Sequence, residues 1–196
     1  RHRPDRPGRP SMTDSRFDPL TFDDGTPVDP AHWSRRRDEM RTAILPHEYG
    51  GMPPAPDSTT AVRRCTSRIR GTGIELRIYE IRCVVCDREI SFSLRLWIPP
   101  GEAPKPVVLD GDGCWRYFSD DIVSRVVARG NIAASFDRTA LAADDRDNYR
   151  DTGLYRLLPD AGFGALSAWA WGYHRCVDAL ATIDGVRPEQ IAITGH

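Results

Sequence analysis

Two short stretches of the chain combine residue type and spacing in a way that chemistry can use. The first is Gly195-His196, which follows the apolar run Gln190-Ile191-Ala192-Ile193-Thr194. A glycine at the end of a strand lets the chain turn sharply without a Cβ clash. In the pattern Gly-x-Ser-x-Gly such a turn pushes a serine hydroxyl out at the strand's end, where it can attack an acyl carbon. Gly195 and His196 match the first two positions of that elbow, and the nucleophile is expected just after His196. The second stretch is Gly111-Asp112-Gly113-Cys114, which follows the run Pro106-Val107-Val108-Leu109-Asp110. Glycines there let backbone N–H groups approach a developing oxyanion, and the same residues also suit a tight turn before a helix. Each stretch alone is a strand ended by a turn, so the surrounding elements must decide between these readings.

Other candidates carry less. Cys83 and Cys86 form a Cys-x-x-Cys, but no second pair and no histidine pair at ligand spacing accompanies them, so no metal site is expected. They read as two small residues at the end of a strand. His196 adjoins the expected nucleophile and reads as a residue supporting the elbow rather than as the general base. His174, His32 and His47 have no partner at a meaningful spacing. Asp137-Arg138 ends a strand on the same edge as the two stretches above, which suits a salt bridge organising the following loop, or a substrate contact. Trp169 and Trp171 lie two apart on a helix and face different ways. Trp169 is expected in the core and Trp171 beneath the loop that follows the strand ending at Phe136. Gly111-Asp112-Gly113 is not followed by the third glycine of a dinucleotide fingerprint, and no cofactor is expected.

The chain has 196 residues, 40% hydrophobic, with a formal net charge of −1. That is enough for one domain with its own core. The near balance of charge carries no signature of nucleic-acid binding, and no run of ~18 apolar residues suggests a membrane span. The five cysteines, odd in number and irregular in spacing, do not form a secreted disulfide framework. No apolar leader is visible at the start or after Met12, which favours the cytoplasm; a chain beginning at Arg1 leaves secretion open.

The elements that must position these residues follow from periodicity. Residues 1–28 read as a flexible arm, since the Arg/Pro-rich start cannot offset the entropy of ordering. Asp29-Pro30 caps a helix in which Trp33, Met40 and Ile44 recur at helical spacing and which Pro46 and Gly50-Gly51 end. Ala61–Arg70 alternates moderately. Ile74, Leu76, Ile78 and Glu80, then Ile90, Phe92, Leu94 and Leu96, alternate with a period of two around a hairpin turn at Cys86-Asp87-Arg88. The strand 106–110 is followed by a helix over 119–128, a strand over 131–136, a charged and turn-rich loop over 137–160, a helix over 163–183 and the strand 190–194. Hairpin, strand, helix, strand, helix, strand is the order of an α/β-hydrolase fold, with a mixed, mostly parallel sheet, truncated after its fifth strand. Residues 107–109, 132–135 and 191–193 are expected side by side and parallel, with 191–193 central.

Four blocks carry a resemblance. Gly111-Asp112-Gly113-Cys114-Trp115, Phe136-Asp137-Arg138-Thr139, Phe163-Gly164-Ala165-Leu166-Ser167-Ala168-Trp169-Ala170-Trp171-Gly172 and Ile191-Ala192-Ile193-Thr194-Gly195-His196 resemble the glucuronoyl esterase family of carbohydrate esterases. The helix from Trp33 and the stretch Glu48-Tyr49-Gly50 are similar to that family's N-terminal segment. The resemblance implies a continuation Ser-Arg-Gly-Gly-Lys, with a serine nucleophile, an arginine beside it that helps hold the oxyanion, and an acid and a histidine further on. It also implies a small-molecule or glycan ester substrate, with no nucleic acid or membrane as partner. Residues 29–196 are then the N-terminal part of an α/β-hydrolase domain, and the 196-residue chain alone is expected to be inactive. A general esterase or peptidase of the same superfamily, or a non-catalytic truncated gene product, are the alternatives.

Overall fold

A computed structural model describes residues 17–195 of the chain. Of the arm expected over residues 1–28, residues 1–16 lie outside the described residues, as does His196. The described residues divide into two compact units that meet between Leu45 and Pro46.

In the first unit Asp29 caps a 3₁₀ turn, Pro30–His32, by accepting from the N–H groups of Ala31 and His32. Proline fits there because its missing N–H would have no helical partner. Helix α1, Trp33–Glu48, follows directly and runs two residues past Pro46. Its Arg36 is buried, with Nη1 donating to Asp23 at 2.7 Å and to Glu39 at 3.0 Å. Ahead of Asp29, Phe22 is buried and Thr21 bridges to Pro27.

The second unit is built on strands β1 (Ser58–Arg68), β2 (Glu75–Val85), β3 (Arg88–Ile98), β4 (Lys105–Asp110), β5 (Ile132–Phe136) and β6 (Val186–Thr194). Strands β2 and β3 form a hairpin across Cys86 and Asp87, whose φ angles of 50° and 59° belong to the two-residue turn that matches strand twist. Cys83 is buried in β2, whereas Cys86 is exposed in the turn, so the pair does not converge as ligands would.

One phase differs from the sequence reading. The buried face of β2 is Tyr79, Ile81, Cys83 and Val85, the alternate set to Ile74, Leu76 and Ile78. The partner strand decides this: Tyr79 pairs with Leu94, Ile81 with Phe92 and Cys83 with Ile90. Three of the four apolar residues expected of β3 thus set the face, and a one-residue slip would turn them all outward.

The six strands form one mixed sheet in the order β1-β2-β3-β5-β4-β6. Strands β1, β2, β3 and β5 pair antiparallel in turn, while β4 pairs in parallel with both β5 and β6. The three expected parallel strands are neighbours, but β4 rather than β6 is the middle one. β6 lies at the edge of the described sheet, and Ile193 is exposed. Apolarity over Ile191–Ile193 marked a strand, but it does not specify which neighbour lies between the other two. The opposite edge, β1, carries Arg63, Arg64 and Arg68 and a register shift between Arg63 and Cys65, both features that discourage further pairing.

Helices cover the two faces. Helix α2, Asp120–Ala128, is capped by Ser119 and presents Val123 and Val127 to Ala133 and Trp97. Helix α4, Ala165–Leu180, packs Ala168, Trp171, Cys176 and Leu180 into the main core with Ile81, Leu94, Leu109 and Phe136. Gly172 is required for this approach, since a Cβ there would lie 2.9 Å from the Phe136 ring. The stretch 137–160 is not an open loop. It holds 3₁₀ turns and a short helix, α3 (Leu154–Leu157), and buries Leu141, Ala142, Leu154 and Tyr155. Its charges had masked these four apolar residues because they follow no single period. No helix among the described residues is long and apolar enough to cross a membrane.

The layering sets a test. Leu94 is fully buried, whereas Leu166 on α4 is 57% exposed. Leu94→Ala is expected to cost about 2–5 kcal/mol in urea unfolding, and Leu166→Ala to stay within about 0.5 kcal/mol.

Candidate active site

The carboxyl ends of β4, β5 and β6 lie side by side, with Asp110 opposite Ser135 on one side and Thr194 on the other. The chain leaves β4, returns on one side as β5 and then crosses to the other side as β6. In open α/β sheets such a reversal opens a crevice beyond the strand ends, and ligands bind there. The loop after β4, residues 111–114, and the turn after β6 at Gly195 therefore flank the place beyond the strand ends where such folds open their crevice.

Tyr173, on α4, ties the two walls together. Its hydroxyl accepts from the Gly111 N–H at 2.7 Å and donates to the Thr194 carbonyl at 2.9 Å. Its ring meets Phe136 edge-on, with centroids 4.9 Å apart. Only glycine fits at position 111, because a Cβ there would lie 2.5 Å from the Tyr173 ring. A Cβ on Gly195 would stand 3.3 Å from the Tyr173 hydroxyl and 3.6 Å from an Asp112 carboxylate oxygen. The role of this hydroxyl rests on a long-range contact that periodicity does not encode.

The four residues of the loop after β4 differ in what their amides can do. The Gly111 N–H is taken by Tyr173, and the Gly113 N–H donates to the Phe136 carbonyl at 3.0 Å. The Asp112 N–H donates to the Asp110 carboxylate at 3.2 Å. Cys114 is the remaining member, and its amide makes none of these contacts. Burial, with Asp137 nearby, pushes its thiol up from its ordinary range. It therefore stays protonated at neutral pH and is no activated nucleophile.

Charge is concentrated behind the loop. Asp110 is buried, and its carboxylate also accepts from the Ser135 hydroxyl at 3.3 Å. Burial and then the neighbouring Asp112 push its pKa upward. Asp112 is buried as well, and its carboxylate pairs with Arg138 Nε at 2.5 Å. Arg138 also reaches Asp144 at 3.1 Å and lies 3.8 Å over the Trp169 ring. The salt bridge expected of Arg138 exists, with Asp112 and Asp144 as partners. Asp137 instead caps its own 3₁₀ turn through the Thr139 N–H at 2.8 Å.

The tryptophans exchange their expected roles. Trp171 is in the core, its Nε1 donating to the Pro54 carbonyl at 2.8 Å. Trp169 lies beneath the loop after β5, its Nε1 donating to the Ala142 carbonyl at 2.7 Å. Both bury an apolar ring, and only packing decides which lies deeper. Among the described residues no group of three metal-binding side chains converges.

Tyr173→Phe would leave a Gly111 N–H and a Thr194 carbonyl without their partner, and is expected to cost about 1–3 kcal/mol in denaturant unfolding. Burial pushes the Tyr173 phenol from 10.0 up to about 12. A raised phenol pKa contributes stability below the unfolded value, and that contribution is lost as pH rises from 10.0 towards about 12. The alkaline fall in stability is thus expected to be shallower in Tyr173→Phe, as pH-dependent unfolding would show.

Residues 81–196 match the family described as "Glucuronyl esterase, fungi". Among curated proteins, the 4-O-methyl-glucuronoyl methylesterase of Schizophyllum commune is 28% identical over 91% of this chain, and that of Wolfiporia cocos 31% identical over 91%. The chain spans 42% of the length of each. Among solved structures, the carbohydrate esterase family 15 glucuronoyl esterase from Caldicellulosiruptor kristjansonii superposes with a TM-score of 0.71 at 26% identity, covering 91% of this chain and 48% of that one. The Sporotrichum thermophile glucuronoyl esterase, in complex with methyl 4-O-methyl-beta-D-glucopyranuronate, superposes with a TM-score of 0.68 at 26% identity, over 91% and 45% of the two chains. The matched span runs from β2 through the reversal between β5 and β6, so the stretch that builds the crevice is the stretch the family shares, and the chain belongs to the glucuronoyl esterase family.

Proposed function

We propose that this chain supplies the N-terminal part of an α/β-hydrolase domain, and that the protein to which it belongs is a serine carboxylic-ester hydrolase acting on an ester of glucuronic acid. The observation that carries this reading is the meeting of the loop after β4 with the turn after β6, where a Cβ on Gly195 would stand against Asp112 and Tyr173. On this reading Gly195-His196 opens the nucleophile elbow and the serine follows directly. Its hydroxyl attacks the ester carbonyl, and the carbonyl oxygen gains negative charge on the side where an elbow of this fold receives a donor from the loop after β4. Within 111–114 the Cys114 amide is the group left to serve, as the three before it already donate elsewhere. The arginine expected beside the serine would supply the charged donor. The similarity to a glucuronoyl esterase bound to a methyl glucuronate ester supports the substrate class.

On this reading the serine, the acid and the histidine of the triad lie outside residues 1–196, and those residues are proposed to be inactive alone. The test is to express them with the coding sequence that follows His196 and to assay methyl glucuronate and acetylated xylan side by side. The longer protein is expected to hydrolyse the glucuronate ester, and replacing the serine after His196 by alanine to lower kcat at least ~10³-fold. Turnover by residues 1–196 alone would overturn the proposed division of the site. Hydrolysis of simple esters without glucuronate would favour a general esterase.

A further inference from the structure

We infer that Arg138 is a positioning residue, which holds the loop after β4 in register with the end of β6 through the Asp112 carboxylate. Four tethers meet at this one residue. Its Nε pairs with Asp112 Oδ1 at 2.5 Å, and its Nη2 pairs with Asp144 Oδ2 at 3.1 Å. Its guanidinium plane lies 3.8 Å over Trp169, and its backbone N–H donates to the Gly111 carbonyl at 2.9 Å. Trp169 is fastened in turn to the Ala142 carbonyl. The loops after β4 and β5, the segment holding Asp144, and helix α4 are therefore joined through one side chain.

The consequence reaches the crevice because Asp112 does. Its carboxylate lies beside the position a Gly195 Cβ would take. A shift of Asp112 would thus move the wall against which the turn after β6 is seated. A shift of about 1 Å in a reacting constellation can cost on the order of 100-fold in rate. Lysine could keep the charge but not the arrangement. The forked guanidinium serves two carboxylates in fixed directions while stacking on an indole, and a lysine ammonium does not reproduce that geometry. Arg138 Nη1 is buried with no hydrogen-bond partner among the described residues. A buried donor left unpaired is a cost, and it is the side chain's three other tethers that hold it in this pose.

The inference rests on the esterase reading for its catalytic consequence and not for the tether itself, so two measurements separate them. Hydrogen exchange is followed in the 196-residue chain as wild type, Arg138→Gln and Arg138→Lys. Both variants are expected to exchange faster at residues 111–115, while the β2–β3 amides around Leu94 keep their protection. In the longer protein, Arg138→Gln is expected to lower kcat on methyl glucuronate about 100-fold with KM within about twofold. Arg138→Lys is expected to recover little of this, and added methylguanidinium to recover part of it in Arg138→Gln. Unchanged exchange at 111–115 would overturn the tether whatever the activity. A raised KM with unchanged kcat would overturn the positioning role by making Arg138 a substrate-binding group. Faster exchange in a protein without esterase activity would sink the esterase reading and leave the tether standing.

Discussion

One hydroxyl joins the two sides of the crevice. The oxygen of Tyr173 accepts a hydrogen bond from the Gly111 amide and donates one to the Thr194 carbonyl, so the ends of β4 and β6 are tied through a single atom with two hydrogen bonds. Two demands follow. Position 111 has no room for a side chain, and helix α4 must approach the sheet closely enough for a tyrosine to span its thickness. The second demand is met at Gly172, where the helix backbone comes against Phe136 and Leu141. The close packing of one helix on β5 thereby sets the geometry of a loop at the end of β4.

Behind the loop the balance is electrostatic. Asp110, Asp112 and Arg138 are all largely out of water, a placement that costs several kcal/mol per ion unless the charges pair and bond well. Asp110 responds by a raised pKa, held by Ser135 and the Asp112 amide. Asp112 is paired with Arg138, and Arg138 is shared with Asp144. Removing Arg138 takes a charged partner from Asp112 and from Asp144 at once. Stability and site geometry are therefore coupled, since the interactions that anchor the loop are those that line the crevice.

Much of this was legible in the amino-acid sequence, and the limit is a physical one. Regular period determined the hairpin, since alternation in Ile90–Leu96 and the turn at Cys86-Asp87 specify a strand pair without outside help. A cap determined the helix start at Asp29, because a cap is a contact between near neighbours. Glycines marked the loop after β4, since the lack of a Cβ is a local property. The phase of β2 was not legible, as both its residue sets carry apolar members and only the partner strand selects between them. Nor was the order of the parallel strands, because β4, β5 and β6 are alike in being short and apolar.

The amino-acid sequence by itself therefore determined the hairpin, the longer strands and helices and, through its blocks of resemblance, the family. The tertiary structure alone decided that β4 lies between β5 and β6, that Trp171 rather than Trp169 enters the core, and that Tyr173, Arg138 and Asp112 meet at the crevice. The reason is range. Hydrogen bonds and periods that act over a few residues leave a mark in local spacing. Gly111 and Tyr173 are 62 positions apart, and Arg138 and Asp112 are 26 apart. Contacts at such separations exist only once the sheet has formed and the helices have packed upon it.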